Sequence, residues 1–275
     1  MRMLTLLCSV LAASFLGAPV YAQNAKRVSS AIPRGVDGKP DFTGVWQPGS
    51  TTPGTWEEAN SGAGLGGTGV NPTAPSAPSA SARQGGGAPY KPEAAKKVLE
   101  SFNNRGIDDP AALCLPPGVP RIVAVGLFPI QIVQTPQQLA FMYEWMNIFR
   151  AVPLNAKHPD DLEPSYMGDS VGHWEGDTLV VDVTGFNDKT WLIGTGTFHT
   201  EALHVTERYT HVNAERIDLE VTMEDPNVLT KPWIYRTSMM LRRGTRLREY
   251  ACTENNLDPE RYEKLIQDNI NFRRN

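Results

Sequence analysis

Four side chains able to bind a metal or move a proton, His199, Glu201, His204 and Glu207, fall within nine residues of one another. The helical zinc arrangement His-Glu-x-x-His sets its histidines four apart, so that both share one face. Here they are five apart, His204 opens an expected strand and His199 lies in the loop before it, and no third ligand is evident. The spacing therefore predicts no metal site and no other cofactor. Proton chemistry fits better. Along the strand that starts at Leu203, the residues Leu203, Val205 and Tyr209 share a face with Glu207 and His211, while His204, Thr206, Arg208 and Thr210 share the other. With the apolar face inward, Glu207 is a carboxylate among apolar neighbours. Burial disfavours its charged form unless a cation sits beside it, and carboxylates raised in this way serve general acid/base catalysis. Glu207, His204 and Tyr209 are thus the candidate catalytic set: acid/base group, orienting or deprotonating group, and hydrogen-bond donor. The alternative for Glu207 is a structural ion pair with Arg236, Arg242 or Arg248. Glu249, between Leu247 and Ala251, repeats the pattern with the ion-pair reading uppermost.

A mobile-looking stretch at 194–197 precedes His199 and Glu201, which adds polar groups to the same rim. His199, Glu249 and Trp191 are the candidate ligand-contacting residues. Aromatic side chains are numerous in this half of the chain, and most are expected in the core. Those that line a cavity would favour an apolar or aromatic ligand. Familiar nucleophile and nucleotide signatures are missing: there is no Gly-x-Ser-x-Gly elbow, no phosphate-cradling loop and no dinucleotide fingerprint.

Residues 1–22 read as a signal peptide, with Arg2, an apolar run from Met3 to Gly17, and Val20 and Ala22 at the −3 and −1 positions. Cleavage after Ala22 gives a periplasmic or secreted protein without a membrane anchor. The full chain carries 26 Lys+Arg against 30 Asp+Glu; losing Arg2 leaves a mature net charge of about −5, with no basic stripe for nucleic acid. Cys8 leaves with the leader, and Cys114 and Cys252 are expected to form a disulfide in an oxidising compartment.

The elements that must position these residues are mostly strands. Residues 23–47 hold a first strand. Residues 48–92 are rich in Gly, Pro and Ser and read as a flexible insertion. A short helix follows at 93–103, started by Pro92. Strand-like runs then come at 121–125, 129–134, 139–145, 178–184, 203–212, 216–223, 233–242 and 246–253. Tight turns are expected at Gly176, at 211–215 and at 243–245. Residues 93–257 therefore form the main domain, and 258–275 a closing helix and tail. Consecutive hairpins make a meander, and a meander that removes its own edges is an up-and-down barrel.

The segment FTGVW (42–46) resembles the Gly-x-Trp opening strand of lipocalins and their calycin relatives. That resemblance implies a calycin-like antiparallel β-barrel with a ligand-holding lumen; a two-sheet sandwich is the alternative. The long insertion after the first strand and the early helix depart from the pattern. The strings GHWEGDTLVVD (172–182), LHVTERY (203–209), EDP (224–226), TKPW (230–233) and EYACTEN (249–255) also resemble a group of exported bacterial proteins of unassigned function, which implies export and carries no activity across. The expected function is binding of a small apolar or aromatic molecule; the alternative is a cofactor-free lyase, isomerase or hydrolase acting on one.

Overall fold

The computed structural model describes residues 31–48, 88–103, 109–124, 128–193, 196–254, 256–257, 259–260 and 263–264. The expected signal peptide and nearly all of the expected insertion lie outside the described residues. Nine strands form one sheet: β1 (Gly44–Pro48), β2 (Ile130–Gln134), β3 (Gln138–Tyr143), β4 (Phe149–Pro153), β5 (Asp169–Glu175), β6 (Thr178–Thr184), β7 (His204–Asn213), β8 (Arg216–Glu224) and β9 (Trp233–Leu241). Their order is β4-β3-β2-β1-β9-β8-β7-β6-β5, antiparallel at every step. The first strand thus pairs with the last, Trp46 opposite Leu241. The architecture is the calycin-like antiparallel barrel, nearly closed, and the two-sheet sandwich is ruled out by the single continuous sheet.

An odd number of strands cannot alternate direction all the way round a ring. One neighbouring pair must run parallel, and that pair is β4 and β5. They meet through a parallel bridge between Leu154 and Gly172, where the Asn155 N–H donates to the Gly172 carbonyl at 2.7 Å. Glycine makes the approach possible: a Cβ on Gly172 would lie 2.9 Å from Val152 Cγ1 and 3.0 Å from Leu154 Cδ2. The connection 154–168 has to travel from one end of the barrel to the other along this seam.

Alternation sorts the side chains. Leu179, Val181, Val183, Val205, Tyr209, Ile217, Leu219, Val221 and Met223 point inward and are buried. Polar partners face outward, among them Arg208 with Glu175 and Arg236 with Glu220. One end is plugged by the N-terminal segment: Phe42 packs on Trp174 and His211, and Trp46 Nε1 donates to the Phe42 carbonyl at 2.8 Å. The other end carries α1 (Pro92–Asn103), a 3-10 turn (Pro110–Leu113) and α2 (Arg121–Ala124). There Arg121 and Asp109 form a buried two-pronged ion pair at 2.7 Å, with the guanidinium against Trp145 and Trp191. The Cys114–Cys252 disulfide ties this cap to the C-terminal segment, across a sequence separation of 138. Among the described residues no helix is long and apolar enough to cross a membrane.

Three expected elements differ. Residues 121–125 were to be a strand, yet 121–124 are a helical turn closed by bonds from Ile122 to Gly118 and from Ala124 to Pro120. Its apolar run reflects burial on all sides, a case periodicity cannot separate from a strand. Residues 246–253 form no strand. Their backbone is held by side chains instead, with Arg248 N–H on Glu144 and Asn147 Nδ2 on the Tyr250 carbonyl. The turn at Gly244 therefore joins no further hairpin. Conversely β4 was not anticipated. Of the closing helix, 259–260 and 263–264 are described and are helical; the rest lies outside the described residues.

Candidate functional site

The site is assembled inside the barrel from inward positions of facing strands. On β7, Glu207 points in phase with Val205 and Tyr209 and has 0% exposure. On β4, alternation turns Phe149 and Ala151 outward and Arg150 and Val152 inward. Arg150 crosses the lumen: its Nη2 donates to Glu207 Oε2 at 2.6 Å and lies 3.4 Å from Tyr209 Oη. The guanidinium also sits over the Phe141 ring, 5.0 Å from its centroid, and Phe141 in turn contacts Tyr209. Tyr143 on β3 belongs to the same electrostatic neighbourhood.

Burial works to lower the Arg150 pKa, but the Glu207 charge and hydrogen bond together with the Tyr143 and Tyr209 phenols outweigh it and hold the guanidinium above even its ordinary range. The phenols of Tyr143 and Tyr209 are pushed up, chiefly by burial, with Glu207 adding to the rise and Arg150 opposing it. Both remain protonated donors at any physiological pH. Several polar atoms at these inward positions have no hydrogen-bond partner: Arg150 Nε and Nη1, Glu207 Oε1, Tyr143 Oη, and Ser170 Oγ on β5. Each buried orphan costs about 1–3 kcal/mol, more when charged. Orphans of this kind on inward positions of four strands are what a polar ligand head would meet.

The candidate residues separate into four places. Glu207 and Tyr209 come together as expected. His204 does not join them: next-door residues on a strand face opposite ways, so it lies on the outer surface, 41% exposed. There its Nε2 is 2.6 Å from Asp182 Oδ1 and its Nδ1 3.5 Å from Glu224 Oε2. His158, on the seam connection, shares Asp182 and also contacts Asp169. His199 and Trp191 lie buried in the β6–β7 connection. His199 Nδ1 faces the Thr200 carbonyl at 3.0 Å and so must donate, which leaves Nε2 to accept from the Thr190 hydroxyl at 2.6 Å. Burial lowers the His199 pKa and keeps the ring neutral. Trp191 backs the Arg121 guanidinium at 5.3 Å. Glu249 is exposed on the C-terminal coil, away from any strand face.

The cation beside Glu207 is thus none of the three arginines considered from the sequence. Arg236 pairs with Glu220 on the outer face and Arg248 is exposed. Arg150 and Tyr143 were missed. The signal for Arg150 was an indirect one: an inward carboxylate calls for an inward cation, and Arg150 is in phase with Val152. No three or more His, Cys, Asp or Glu among the described residues are placed to hold a metal ion. The chain matches no family model, and no curated protein matches it.

Proposed function

We propose that this is an exported carrier or receptor that holds a small, largely apolar or aromatic molecule inside the barrel, against Arg150, Glu207 and Tyr143. The observation that carries the reading is the set of unpartnered polar atoms on inward positions of β3, β4, β5 and β7. Aromatic walls at Phe141 and Tyr209 supply the apolar part of such a pocket. Export rests on the leader-like residues 1–22, and a disulfide is compatible with it.

The same geometry supports recognition over acid/base turnover. Glu207 is committed to a charge pair, and the phenols beside it are held protonated. Neither phenol is poised to trade a proton near neutral pH.

The test pairs native mass spectrometry of protein purified from its own source with the variant Tyr143→Phe. A co-purifying small molecule of defined mass is expected. Tyr143→Phe removes an orphan hydroxyl, so the free protein keeps its stability or gains about 1 kcal/mol, while affinity for that molecule falls. Protein that carries no molecule, or a variant that binds unchanged, would defeat the reading.

A further inference from the structure

We infer that the molecule held in the barrel is uncharged and carries a hydrogen-bond acceptor beside a hydrogen-bond donor on its aromatic or apolar body; the inference rests on the lumen-binding reading above. Two observations specify this polar head. The first is charge balance. Arg150 and Glu207 are the only Arg, Lys, Asp or Glu at inward positions of the nine strands, and they neutralise each other across 2.6 Å. A carboxylate ligand would add an uncompensated negative charge to a water-poor interior, and an ammonium ligand a positive one. Low dielectric penalises both far more than a neutral group.

The second observation is which valences are free. Both two-pronged faces of a guanidinium share Nη2. Here that nitrogen is taken by Glu207 Oε2, with Tyr209 Oη at 3.4 Å. The parallel double bond by which arginine grips a carboxylate is therefore not on offer. Arg150 Nε and Nη1 lie on different edges of the guanidinium, so each of them, like the protonated Tyr143 hydroxyl, presents a single donor suited to a carbonyl oxygen. Glu207 Oε1 has only lone pairs to give, so it requires an N–H or O–H on the ligand. A primary amide on an aromatic ring satisfies both demands at once, and a hydroxy ketone would as well.

Three probes of nearly equal shape separate the possibilities: benzamide (acceptor and donor), acetophenone (acceptor alone) and benzoate (charged). Binding to the mature protein is followed by isothermal titration and by tryptophan fluorescence. Benzamide is expected to bind about tenfold or more tighter than benzoate, and several-fold tighter than acetophenone. In Glu207→Gln the pocket becomes net positive, and the preference should swing toward benzoate by about tenfold. Should that variant fail to fold, Tyr143→Phe is the second arm: it weakens benzamide and acetophenone alike and leaves the amide-over-acid preference in place. Benzoate binding as tightly as benzamide to the wild-type protein, or acetophenone matching benzamide, overturns the inference. Failure of all three probes overturns the ligand class. The lumen reading falls with it only if native mass spectrometry also finds no bound molecule.

Discussion

Glu207 has one oxygen committed to Arg150 at 2.6 Å and the other without a partner, at zero exposure. Removing only its charge strands the guanidinium in the interior. Glu207→Gln should therefore cost about 3–5 kcal/mol in a denaturant titration, whereas replacing both partners by apolar residues, as in Arg150→Met with Glu207→Leu, should recover most of that loss. A Glu207→Gln variant as stable as the parent would mean that the pair contributes little to the fold. His199 allows a prediction about pH. Its folded pKa is lowered by burial, so the unfolded chain binds the proton more readily. Its contribution to stability is complete above about pH 6.5 and is lost as pH falls from there toward the folded value. Unfolding free energies measured from pH 8 to pH 5 should fall more steeply for the wild-type protein than for His199→Gln. Parallel curves would show that the ring is not held neutral.

At the level of elements, some strands announce themselves and others do not. β8 was legible because polar and apolar residues alternate without a break, and β7 because Val205 and Tyr209 fall in phase, which also turned Glu207 inward on paper. β4 was not. It is five residues long, its large apolar residue Phe149 is 75% exposed, and its charged residue Arg150 is the one that faces the core. A reading that sends apolar side chains inward takes such a strand upside down or not at all, and the buried cation disappears with it. The stretch 246–253 misled in the opposite way, since its local pattern is strand-like while the barrel has already closed through β9 and β1. The seam is where element geometry is least forgiving. Gly172→Val should cost about 1–3 kcal/mol through overpacking against Val152 and Leu154, and hydrogen exchange at the Asn155 amide should quicken because the seam bond opens. Unchanged exchange there would show that β5 tolerates the added side chain by moving as a whole.

For the whole molecule, the disulfide and the ring act on the same problem, which is to hold distant parts of one chain together. Cys114 and Cys252 close a loop spanning 138 positions, and the chain-entropy model gives about 4–5 kcal/mol for a link of that length. Reduction, or Cys252→Ser, should lower the unfolding free energy by an amount of that order. A loss below about 1 kcal/mol would mean the cap docks equally well without its covalent tie. Pairing of β1 with β9 has a consequence in time as well as in energy. Trp46 is made long before its partner Leu241, so the first strand must wait with one edge bare until β9 has been made. Contacts this remote in sequence place the protein among slow-folding topologies. During that wait the bare edge invites pairing with other chains, so this barrel is most open to misassociation in the interval before the ring exists.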